Sequence, residues 1–68
     1  MNEDKINMEI RKFLKKVGIT SQREIEKALQ AASGSGKLSG GEQLSVTMQL
    51  EMPEIGLVHR VDGTIALD

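Results

Sequence analysis

Leu44-Ser-Val-Thr-Met-Gln-Leu-Glu-Met52 alternates apolar and polar residues without a break. Leu44, Val46, Met48, Leu50 and Met52 fall on one side of an extended chain, and Ser45, Thr47, Gln49 and Glu51 on the other. A period of two predicts a strand with one covered and one wet face. Pro53 to Gly56 reads as the turn that ends it. Beyond lie two short apolar runs, residues 57–61 and 64–67, read as a second and a third strand. A three-residue loop, Val61-Asp62-Gly63, would join them. It pairs His59 with Ile65 and Leu57 with Leu67, gathers Leu57, Ile65 and Leu67 on one face, and puts Gly63 at a left-handed bulge position.

Upstream of Leu44 the period is helical. Ile6, Ile10, Phe13, Leu14 and Val17 form one apolar stripe, which predicts a helix over residues 4–17. Gly18 fits a left-handed C-terminal cap, with Ile19 reaching back to Leu14. Ser21 with Glu24 fits a capping box that opens a second helix over residues 21–33, whose thin face carries Ile25, Ala28, Leu29 and Ala32. Residues 34–43 carry four glycines and read as a flexible linker, with Leu38 as its apolar anchor. The expected architecture is a two-layer α+β domain, α-α-β-β-β, with two N-terminal helices packed on a three-stranded antiparallel meander. Its core would join Ile10, Phe13, Leu14, Ile25 and Leu29 to Val46, Met48, Leu50, Ile65 and Leu67.

Composition bounds the rest. The chain has 68 residues, enough for a single domain, and it buries little, since a chain of this length covers only about 60% of its unfolded surface. With 38% hydrophobic residues it is too apolar for full disorder. The absence of cysteine excludes disulfides, thiol nucleophiles and thiolate metal sites. The first residues are charged and no long apolar run follows, so neither a secretory signal nor a membrane span is expected, and the expected compartment is the cytoplasm. Net charge is −1, but it is unevenly spread. Residues 1–37 carry eight Lys/Arg against five Asp/Glu, a balance of +3, while residues 38–68 carry Arg60 against five acids, a balance of −4.

The run Ile10-Arg-Lys-Phe-Leu-Lys-Lys-Val-Gly-Ile-Thr-Ser-Gln-Arg-Glu-Ile-Glu26, together with Val61-Asp-Gly-Thr-Ile-Ala-Leu67, resembles a family of short uncharacterised bacterial proteins catalogued as a domain of unknown function. The resemblance covers nearly the whole chain and implies a small, single-domain cytoplasmic protein. It brings no catalytic or binding residues with it.

Chemistry-bearing motifs are few. Gly34-Ser-Gly-Lys-Leu brushes against a phosphate-binding loop, but Ala31 stands where the first glycine belongs and Leu38 where the hydroxyl belongs. A helix rather than a strand also precedes it, so a linker is the better reading. His59 is the only histidine and lacks partners for a metal site or a triad. Glu24 and Ser21 serve as caps, Glu26 as surface charge, and Met48 and Met52 as core. No catalytic residue, cofactor or metal is expected.

Two surfaces remain. Lys5, Arg11, Lys12, Lys15 and Lys16 form a candidate basic interaction face on the first helix. No aromatic residue interleaves with them, so base stacking is unavailable there. In a simple meander the strand from Leu44 lies at an edge. It has no Lys to guard it, and its nearest Pro lies past its end, so Ser45, Thr47, Gln49 and Glu51 are a candidate strand-pairing edge. The glycine-rich connector could instead fold over that edge. The expected function is a non-catalytic protein-interaction module, self-associating as a homodimer or taking an unidentified protein partner, without a membrane. A weak nucleic-acid-binding accessory protein using the basic face is the alternative.

Overall fold

The computed structural model describes all 68 residues. One helix, α1, spans Glu3–Gly34; strand β1 spans Gln43–Met52, and strand β2 spans Leu57–Ala66, with a short 3-10 turn over Pro53–Ile55 between them. The chain divides into two units, Met1–Lys37 and Leu38–Asp68. The boundary falls where the charge changes sign, so the helical unit carries +3 and the hairpin unit −4.

Both helices of the expected architecture are one. The break expected at Gly18 does not occur: Gly18 has no positive φ, and the helix runs through Ile19, Thr20 and Ser21. A glycine inside a helix costs about 1 kcal/mol relative to alanine, whereas ending one helix and starting another exposes four N–H and four C=O groups that need new partners. Thr20, a competitor for backbone hydrogen bonds, is satisfied within the helix: its Oγ1 donates to the Lys16 carbonyl at 2.8 Å. The Ser21–Glu24 capping box does not form, and Glu24 instead lies 3.8 Å from Lys27.

The true ends are capped. Asn2 Oδ1 accepts from the Lys5 amide at 3.1 Å, with Glu3 and Asp4 in the first turn. At the other end Gly36 takes the left-handed conformation, φ 79°; its amide donates to Ser33 O and that of Lys37 to Ala32 O. This is the Schellman arrangement expected at Gly18, found eighteen residues later at Gly36.

In the hairpin unit the meander is a two-stranded sheet. β1 and β2 are antiparallel with a constant register from Gln43↔Ala66 to Met52↔Leu57. The turn is where expected, with Gly56 at φ 68° and its amide donating to Pro53 O at 3.2 Å. The second turn is absent. Val61, Asp62 and Gly63 are mid-strand, opposite Met48, Thr47 and Val46, and Gly63 is not left-handed. His59 therefore faces Leu50 rather than Ile65, and Leu57 faces Met52 rather than Leu67. A ten-pair ladder outweighs the local turn preference of one Asp-Gly step.

Nor does the expected continuous core form. No residue of either unit is buried, and Ile10, Phe13 and Leu14 are 50%, 53% and 54% exposed.

Candidate functional site: an apolar sheet face, an open strand edge and a basic helix stripe

Residues directly opposite each other in an antiparallel pair point to the same side. One face of the hairpin thus gathers Leu44, Val46, Met48, Leu50 and Met52 with Leu57, His59, Val61, Gly63 and Ile65. The other gathers Ser45, Thr47, Gln49 and Glu51 with Val58, Arg60, Asp62 and Thr64. On this polar face Asp62 Oδ1 accepts from Thr47 Oγ1 at 3.0 Å and from Arg60 Nε at 2.9 Å, and Gln49 Nε2 donates to Glu51 at 2.6 Å. His59 sits within the apolar face, away from these polar groups.

Ladder parity settles which backbone groups are free. Leu67 N–H donates to Glu42 O at 2.9 Å, continuing the register one step past Gln43↔Ala66. Hydrogen-bonded and non-hydrogen-bonded pairs alternate in an antiparallel ladder. The even residues of β1, Leu44 to Met52, therefore bond to β2, while Ser45, Thr47, Gln49 and Glu51 turn their N–H and C=O groups outward. On β2 the outward set is Val58, Arg60, Asp62 and Thr64.

The segment before β1 is held by a carboxylate. Glu42 accepts from the amides of Ser39, Gly40 and Gly41 at 2.8–3.2 Å, and from Ser39 Oγ at 3.1 Å. The Ser39 amide and then the amide of Glu42 itself hold its carboxyl down from 4.5 to about 2; desolvation opposes them, and the Gly40 amide and the Ser39 hydroxyl add smaller downward effects. The amides of Gly36 and Lys37 are engaged in the helix cap, so they are not a phosphate cradle. Three His, Asp or Glu side chains do not come together anywhere in the chain.

Lys5, Arg11, Lys12, Lys15 and Lys16 are all exposed on α1. At 100° per residue, Lys5, Lys12 and Lys16 lie on one line, with Arg11 and Lys15 to one side. The unbroken helix adds two residues that a two-helix arrangement leaves out: Arg23 and Lys27 continue that line, giving a stripe of roughly 33 Å from Lys5 to Lys27. The opposite arc is mainly apolar, through Ile6, Ile10, Leu14, Val17, Ile25, Ala28 and Ala32, with Glu3, Asn7, Ser21 and Glu24 as the polar residues within it. No helix of the chain is long and apolar enough to cross a membrane.

The model of one protein family matches residues 1–68. The chain belongs to DUF6494, a family of unknown function. No curated protein and no solved structure matches it. Membership in DUF6494 accounts for the resemblance carried by Ile10–Glu26 and Val61–Leu67.

Proposed function

We propose that this chain is a non-catalytic protein-interaction module of the cytoplasm, whose apolar helix stripe and sheet face are covered by a protein partner. The observation that carries this reading is the apolar surface left open on each unit: Ile10, Phe13 and Leu14 on the helix are 50%, 53% and 54% exposed, and Met48, Met52 and Val61 on the hairpin are 42%, 45% and 55% exposed. An isolated two-stranded hairpin is only marginally stable, and a lone helix draws little stability from propensity. Residues of chemically capable types have other work: Ser21 is inside the helix, Glu24 lies beside Lys27, and His59 is set among apolar neighbours.

The test is the chain at submicromolar concentration with no other protein present. The reading expects a broad, non-cooperative thermal transition and rapid amide exchange throughout the hairpin. A sharp, concentration-independent transition of a monomer with protected amides would overturn it, because that monomer would cover its own apolar surface.

One observation favours a second reading, weak nucleic-acid binding: the alignment of Lys5, Lys12, Lys16, Arg23 and Lys27 along one unbroken helix. Contacts of this kind are to phosphate and fade steeply with salt. If this reading holds, alanine at Lys12, Lys16 and Arg23 together reduces the salt dependence of duplex binding. Binding that is absent at low salt would remove it.

A further inference from the structure

We propose that the interaction module pairs with a second copy of itself through the outer edge of β1, antiparallel about a two-fold axis at Met48, to give a four-stranded sheet. The inference rests on the interaction-module reading above and names its partner. It begins from ladder parity. The outward groups of β1 belong to Ser45, Thr47, Gln49 and Glu51, so these residues must form the hydrogen-bonded pairs of any added strand. With the axis at Met48, Thr47 pairs with the partner's Gln49, and Ser45 with the partner's Glu51. This register uses β1 from Leu44 to Met52 in both copies.

Three features make β1 its own complement. First, its outward row carries one charge, Glu51, and the register sets that charge opposite a serine rather than another carboxylate. Second, even residues pair with even residues: Leu44 with the partner's Met52, Val46 with the partner's Leu50, Met48 with the partner's Met48. The two apolar faces thus join on one side of the sheet, as burial by a common cover requires. Third, β1 lacks the usual guards against edge pairing. It has no Lys, no Pro, and no bulge, since its register with β2 is constant. The outer row of β2 differs: Arg60 and Asp62 stand on it, bound to one another at 2.9 Å, and charges on an edge oppose pairing. Four strands also pass the size at which a sheet becomes independently stable, which the hairpin does not.

Three variants and one mass measurement test the register. Met48→Cys in this cysteine-free chain places two thiols across a non-hydrogen-bonded pair, with Cα atoms about 4.5 Å apart, within disulfide reach. Val46→Cys places them four strand positions apart, about 14 Å, and out of reach. Mild oxidation is expected to cross-link Met48→Cys faster than Val46→Cys by on the order of tenfold or more. Thr47→Pro removes an outward amide without touching the β1–β2 ladder. Light scattering on the native chain at submillimolar concentration is expected to give twice 7.4 kDa, and on Thr47→Pro 7.4 kDa with unchanged helical circular dichroism. A native dimer unaffected by Thr47→Pro, or cross-linking at Val46→Cys as fast as at Met48→Cys, would overturn the proposed pairing. A native monomer with an unprotected hairpin would also overturn it while leaving the module reading in place; a native monomer with a protected hairpin would overturn both.

Discussion

Replacing Gly18 by alanine separates one continuous helix from two capped ones by the sign of its effect. In the structure Gly18 lies in the interior of α1 with ordinary helical φ, and a Cβ built there meets nothing within 4 Å. Alanine then clashes with no neighbour, and the gain is the propensity difference, about 1 kcal/mol. If Gly18 instead capped a helix ending at Val17, its φ would be positive, and a Cβ would cost roughly 1–2 kcal/mol. The two arrangements thus differ by about 2–3 kcal/mol at one residue, with opposite signs. A gain of about 1 kcal/mol raises the folded fraction of the central turns relative to coil about fivefold. The assay is amide hydrogen exchange of Gly18→Ala against the native chain over Ile19 to Arg23, supported by far-ultraviolet helical ellipticity. Slower exchange at these amides and a stronger helical signal are expected. Faster exchange there, with a weaker signal, would refute the continuous helix.

The glycines of the hairpin unit give a parallel contrast. Gly63→Ala is expected to stabilise β2 by a few tenths to about 1 kcal/mol, since a strand glycine is unfavourable and the new methyl meets Val46 Cγ1 at an ordinary 3.7 Å; Gly56→Ala, at φ 68°, should cost about 1 kcal/mol. Chemical denaturation at fixed protein concentration reads both. Glu42 should titrate near 2, read from the chemical shifts of the Gly40 and Gly41 amides. Because folding lowers its pKa, Glu42 contributes stability that is fully present above 4.5 and lost as pH falls towards 2; a midpoint near 4.5 would show that the amide cradle does not hold the carboxylate. Phe13→Ala should cost far less than the roughly 3–5 kcal/mol of a buried phenylalanine, because its side chain is 53% exposed; thermal unfolding of the dilute chain reads it.

The alternation from Leu44 to Met52 and the turn at Pro53–Gly56 are legible in the sequence because each is a local signal that the fold uses locally. The residues after that turn mislead because Asp62-Gly63 is a strong turn dipeptide, and its local preference is overruled by the eight other pairs of the ladder. Gly18 misleads in the same way. Glycine, threonine and serine in close succession imitate a cap and a new start, yet the apolar stripe keeps its phase from Ile6 to Ala32 straight through them. That unbroken phase is the readable signal of one helix. It also shows that Arg23 and Lys27 continue the basic line of Lys5, Lys12 and Lys16. The outward row of β1 is visible in its alternation, but the free backbone groups depend on parity, which the hydrogen bond between Leu67 and Glu42 supplies. The cradle of Glu42 is not legible, since it joins a carboxylate to the backbone of residues whose composition says only linker.

The most direct measurement of the central claim is residue-resolved hydrogen exchange along β1 at two chain concentrations, one below and one above self-association. Amides of Leu44, Val46, Met48 and Leu50 report the hairpin ladder, and those of Ser45, Thr47, Gln49 and Glu51 report the outer edge. Pairing with a second copy predicts that the outer amides exchange at coil rates when dilute and become protected together at the higher concentration. Outer amides that stay unprotected at both concentrations, with the chain at twice its monomer mass in the concentrated sample, would contradict it.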